Sequence, residues 1–224
     1  ELTVLGAILR EAKRLEFVED VVTRDLRFDG DPPKEKSALT DEQINTILRA
    51  LATEPPDRRW MLHTFLISLY TGCRLSATQV RPGDILFRPG RRTSLALREK
   101  GGQRFSVAVL FDQLNPVLRS IRESGKALEI PKLASKEWRL FFNGLDMPDV
   151  SFHCLRVTFI TRACLHGVRR DIAKTMVRHA SDTVHEIYQK LDSSDVEQAF
   201  DEPIPTTFLN AFDGIVDTEE LLKR

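Results

Sequence analysis

The chain has 224 residues, 42% of them hydrophobic and 29% charged, with a formal net charge of zero. That length holds one large domain, or one domain with part of another, and the composition is ordinary for a globular protein. No apolar run reaches membrane-span length and no signal peptide is visible, while three cysteines without paired spacing argue for a reducing cytoplasm over a disulfide scaffold or zinc site.

In chain order, the first element is an amphipathic helix in "LTVLGAILREAKRLEFV", with Leu5, Ile8, Leu9, Ala12 and Leu15 at helical spacing. The polar, Gly- and Pro-containing "RFDGDPPKEKSA" then reads as a linker. One helix cannot bury its apolar face alone, so the segment from Glu1 to about Phe28 reads as a piece of another domain. "LTDEQINTILRALA" opens the second part: Thr40 and Gln43 form a capping box, and Ile44, Ile47, Leu48 and Leu51 form the buried stripe. A mostly apolar helix in "DRRWMLHTFLISLYTG" ends near Gly72, and "CRLSATQVR" starts a short one. The period then changes. "DILFRPGRRTSLALREKGGQRFSVAVL" predicts three short strands with turns at Pro89-Gly90 and Gly101-Gly102, the second carrying Lys100. From Asn115 onward the pattern is helical again, with Leu155, Phe159, Ile160 and Ala163 as one apolar stripe, then short helices in "RDIAKTMVRH" and "SDTVHEIYQKL". The predicted class is α+β, mostly helical with a small three-stranded antiparallel sheet.

The zero net charge averages over a pattern. Six further basic residues lie between Arg74 and Arg104 against Asp84 and Glu99 alone, whereas the chain after Asp192 is strongly acidic. A basic middle can meet a polyanion, although solvated faces explain such a pattern equally simply.

Six polar residues need a common explanation: Arg74 after a Thr-Gly turn, Lys100 at a glycine turn, His153 and Arg156 on one helix face, His179, and Tyr188 nine residues later. Singly, each reads as a cap, a solvated charge or a packing residue. Together they compose a phosphodiester site. Two planar, permanently charged guanidinium groups can clamp the non-bridging oxygens of one phosphate. A tyrosine hydroxyl can attack phosphorus, and a lysine or histidine can protonate the leaving sugar oxygen. No cluster of metal-ligand type accompanies them, so the clamp would stand in for a metal.

The ordered stretches "TGCRLSATQV", "REKGGQRFSVAVL", "HCLRVTFITRACLHGV" and "RHASDTVHEIY" resemble the motifs of the tyrosine recombinase (phage integrase) family over about residues 38 to 191. The resemblance implies the DNA breaking-rejoining fold and site-specific cutting and rejoining of duplex DNA through a 3′-phosphotyrosyl link. It assigns Arg74 and Arg156 to the clamp, Lys100 to the general acid, His153 to proton transfer at the nucleophile, His179 to a phosphate hydrogen bond, and Tyr188 to the nucleophile. It implies no cofactor, metal or ATP, and a homo-tetramer on double-stranded DNA. It divides the chain into residues 1–36, a remnant helix of an N-terminal core-binding domain plus linker, and residues 37–224, the catalytic domain with a C-terminal tail. Three positions depart from the family pattern: Ala77 where an acid is usual, Val157 where a second histidine is frequent, and Arg178 where glycine commonly precedes His179. "TTFLNAFDGIV" in the tail reads either as a patch for docking on a neighbouring subunit or as packing on the chain's own core. His63 reads as a core histidine, and His166 as a helix-end residue. Two rival functions share parts of this pattern: type IB topoisomerase-like relaxation without strand exchange, and a DNA-binding regulator with a degenerate site.

Overall fold

The computed structural model describes residues 2–19, 21, 36–98, 103–169, 172–173, 176–177 and 204–222. It divides into two compact units, residues 1–35 and 36–224.

In the first unit, helix α1 (Leu2–Arg14) carries Lys13 and Arg14 in its last turn, where cations favour the helix dipole. Its predicted stripe is largely open to solvent: Leu5, Ile8 and Leu15 are exposed, as are Val4 and Phe17.

The second unit is mostly helical, with one three-stranded antiparallel sheet. Helix α2 (Asp41–Ala52) starts on the predicted box. The Thr40 side chain accepts from the Gln43 backbone amide, the Gln43 side chain accepts from that of Thr40, and the four predicted stripe residues are buried. Helix α3 (Arg59–Thr71) is apolar almost all round, which suits only a central position. Two of its buried hydroxyls are satisfied within the helix: Thr64 donates to the Met61 carbonyl and Thr71 to the Ile67 carbonyl. His63 sits in this helix, and burial, with Arg59 adding repulsion, pushes it down to about 4, so it stays neutral at physiological pH.

The "CRLSATQVR" stretch, expected as a short helix, is a 3-10 turn at Leu75–Thr78 with Gln79 already out of helical geometry. Strands β1 (Ile85–Leu86), β2 (Ser94–Arg98) and β3 (Arg104–Ala108) pair in chain order, Ile85 opposite Leu95 and Leu97 opposite Phe105. Gly90 takes the left-handed conformation at the predicted first turn. The second turn, with Lys100, lies outside the described residues.

Helices α4 (Asn115–Ser124), α5 (Ala134–Gly144) and α6 (His153–Leu165) follow. Two aromatic groups fill the core. Trp138 is surrounded by Trp60, Phe65, Phe141, Phe142 and Phe152, and Phe111 by Tyr70, Phe159, Phe208 and Phe212. Edge-on and tilted rings at these separations are attractive beyond the area they bury.

Phe208 and Phe212 decide between the two readings of the tail. Both are fully buried against the chain's own core. Helices α7 (Thr206–Leu209) and α8 (Thr218–Leu222) are held there by polar groups as well. The Asn45 amide donates to the Gly214 carbonyl and accepts from the Val216 amide, both at 2.9 Å. The Arg162 guanidinium lies 4.6 Å from the Phe212 ring centroid, bonds the Ala211 carbonyl and pairs with Asp41. Burying each phenylalanine contributes roughly 1.5–3 kcal/mol. No helix among the described residues is long and apolar enough to cross a membrane.

Candidate active site

The site is built around the end of α3. Gly72 closes that helix in the left-handed conformation (φ 66°), its amide donating to the Ser68 carbonyl at 2.8 Å. The chain leaving it is pinned from both sides. The Ser68 hydroxyl donates to the Cys73 carbonyl at 2.8 Å, and the Cys73 amide donates to the Thr71 hydroxyl at 3.3 Å. Arg74 follows in extended geometry as the residue before the 3-10 turn, its side chain exposed.

Arg156 reaches the same turn from α6. It is only 3% exposed, and its Nη1 donates to the Gly72 carbonyl at 3.0 Å. A glycine turn that leads to one arginine thus orients the other. Both line a shallow open cleft with Cys73, Ser76, Ala77, Phe105 and Val177. A guanidinium cannot shed its proton to escape burial, so a buried arginine at a cleft wall favours an anionic occupant.

Cys73 does not compete as a nucleophile. Burial pushes its thiol up to about 11, with Thr71 and the Arg156 charge offsetting only part of the effect, so it stays protonated. His153 is the first residue of α6, exposed, one turn before Arg156. Ala77 is buried in the cleft wall, so the acid usual at that position is replaced by a methyl group. Of the six predicted site residues, the structure brings Arg74 and Arg156 together and sets His153 on the helix that carries Arg156. Lys100, His179 and Tyr188 lie outside the described residues.

Sequence reasoning missed the Gly72 carbonyl, Phe105 and Val177 as parts of the site. The Thr-Gly dipeptide was the available signal for the first; nothing local marks the other two.

The close packing at Gly72 makes a prediction. A Cβ there would stand 2.5 Å from Val177 Cγ1 and 2.9 Å from Phe159 Cδ1, on backbone that already disfavours L side chains. Gly72→Ala is expected to cost roughly 2–5 kcal/mol of stability from strain plus overpacking. Gly90→Ala has a similar φ but open space around it, and should cost only about 1 kcal/mol. Denaturant titration of both variants checks this; equal losses would mean that the contacts at Gly72 do not matter.

Among known proteins, no family model matches the sequence, and no curated protein is significantly similar to it. Solved structures do match in fold. A lambda integrase dimer bound to a COC′ core site aligns with TM-score 0.54 and 18% identity over 85% of this chain and 72% of that one. The Tn1549 transposon integrase in complex with circular intermediate DNA aligns with TM-score 0.52 and 16% identity over 90% and 76%. A lambda integrase tetramer bound to a Holliday junction aligns with TM-score 0.52 and 17% identity over 85% and 59%. The fold is that of a tyrosine recombinase catalytic domain. In this tyrosine recombinase fold strand β3, the 3-10 turn after α3, helix α6 and Val177 supply the cleft, and the two arginines enter it from α6 and from the chain just after α3.

Proposed function

We propose that the protein is a site-specific DNA recombinase or integrase, cleaving and rejoining duplex DNA through a 3′-phosphotyrosyl intermediate. The convergence of Arg74 and Arg156 on one cleft through the Gly72 turn carries this reading. A count supports Tyr188 as the nucleophile of this reading. The chain has two tyrosines, Tyr70 and Tyr188. Tyr70 is 2% exposed in the aromatic core, where burial pushes its phenol up to about 12, so it cannot meet a DNA backbone. Tyr188 is the remaining phenol.

In the proposed reaction the Tyr188 oxygen attacks the phosphorus, assisted at its proton by His153. The bond from phosphorus to the 5′ oxygen breaks, and Lys100 gives that oxygen its proton. Arg74, Arg156 and His179 stabilise the pentavalent phosphate. A 5′ hydroxyl from another strand reverses the steps, its proton returning to Lys100. Phosphoester energy is retained in the protein link, so neither ATP nor a metal cofactor enters.

The protein acts on double-stranded DNA as a homo-tetramer, a reading supported by the lambda integrase tetramer on a Holliday junction. Residues 1–36 belong to an N-terminal core-binding domain and its linker, which gives the exposed Val4, Leu5 and Ile8 face a place to pack. A cytoplasmic location agrees with the free thiols of Cys73, Cys154 and Cys164.

The test offers the chain a randomised pool of nicked duplexes in EDTA and looks for protein covalently joined to DNA. Adduct and recombinant joints in EDTA are expected. In a parallel reaction with closed supercoiled plasmid, relaxation without recombinant joints would favour the topoisomerase-like reading, and strict need for a divalent ion would contradict the mechanism.

A further inference from the structure

The strands β2 and β3 end on a pair of like charges. Arg98 and Arg104 face each other as the last paired residues before the connection that contains Lys100. Cations directly opposite across an antiparallel pair repel. The repulsion is met by Asp84, from the 3-10 turn at Pro82–Asp84. Its side chain is 1% exposed. It accepts from Arg98 Nη2 at 2.9 Å, from Arg104 Nη2, and from the Arg81 backbone amide at 2.9 Å. Burial alone would raise this carboxyl, but the Arg81 amide and the two guanidinium groups hold it below the usual carboxylate range. Arg98 Nη1 also donates to the Gln79 carbonyl at 3.3 Å, tying the end of β2 to the segment that follows Arg74. One buried acid therefore fastens both feet of the β2–β3 connection to the segment that begins at Arg74.

We propose that Asp84 is a positioning residue for the general acid: by clamping Arg98 and Arg104 it fixes the ends of the connection from which Lys100 acts. The inference rests on the proposed role of Lys100. A carboxylate serving the core alone would have no reason to affect one half of the reaction more than the other, whereas a positioning role singles out protonation of the leaving oxygen.

The experiment uses the full chain and a nicked duplex recovered from the randomised pool as a covalent adduct of the wild type. That duplex is synthesised with oxygen or with sulfur at the 5′ bridging position, and cleavage is followed in single turnovers at saturating DNA. A thiolate leaves without a proton, so loss of the acid is felt on oxygen and relieved on sulfur. Asp84→Asn is expected to slow cleavage of the oxygen substrate at least about tenfold. On sulfur it should return to within about threefold of wild type, as should Lys100→Ala, while Arg74→Ala stays slow on both. If Asp84→Asn does not fold, Arg104→Gln replaces it, since that side chain is 58% exposed and the Arg98–Asp84 pair survives; the same sulfur-selective pattern is expected at smaller size. Equal slowing on both substrates, or no slowing, overturns the positioning role when Lys100→Ala is itself rescued. If Lys100→Ala is not rescued, the assignment of the acid fails and this inference falls with it.

Discussion

Arg156→Ala is expected to lower the rate of DNA cleavage by roughly 100- to 1,000-fold while leaving DNA affinity within a few-fold of wild type. The reason is where the charge sits. Arg156 is buried at the cleft wall and oriented by its bond to the Gly72 carbonyl, so its charge is already in place when the phosphate gains negative charge in the transition state. Arg156→Lys should recover little, because an ammonium cannot match two phosphate oxygens in one plane and still hold the Gly72 carbonyl. The variant also loses that buried hydrogen bond, a stability change of about 1–2 kcal/mol. Denaturant titration beside single-turnover cleavage separates the two effects. Cleavage within a few-fold of wild type would remove Arg156 from the clamp.

Tyr188→Phe is expected to abolish covalent attachment to DNA altogether, since the proposed mechanism draws the attacking oxygen from that side chain. Binding should be unchanged, because one hydroxyl contributes little beside the phosphate contacts that dominate affinity and make it salt-dependent. Tyr70→Phe is the matched control. Its ring packs against Phe111 and Phe212, at 5.7 and 5.3 Å between centroids, and phenylalanine keeps that packing. Adduct should therefore form in Tyr70→Phe at close to the wild-type level. Gel mobility of the protein after trapping on the nicked duplex reads both variants, and an adduct in Tyr188→Phe would end the nucleophile assignment.

The parts of this fold that local chemistry determines were legible in the sequence. Thr40 and Gln43 bracket one turn, so their capping box needs no tertiary knowledge. The β2–β3 hairpin announces itself by alternation, and Gly72 by its place after an apolar helix. Other features depend on partners far along the chain. Arg156 and the Gly72 carbonyl are 84 residues apart, and no local pattern joins them. Phe208 and Phe212 look the same in sequence whether they cover their own core or another subunit; only Phe111, Tyr70 and Asn45 decide it. "CRLSATQVR" has the spacing of a helical turn, but the four residues Leu75–Thr78 are all that take 3-10 geometry before Gln79 leaves it. Asp84 stood out as one of two acids in a basic run, yet which arginines it serves follows from the strand register.

In the proposed reaction one tyrosine carries the DNA. The direct measurement is peptide mapping of the trapped adduct: nuclease digestion to a short nucleotide remnant, proteolysis, and mass spectrometry of the modified peptide. A single modified peptide is expected, with the nucleotide joined through its 3′ phosphate to Tyr188. A remnant on Tyr70, on Cys73 or on any serine, or one joined through a 5′ phosphate, would contradict it.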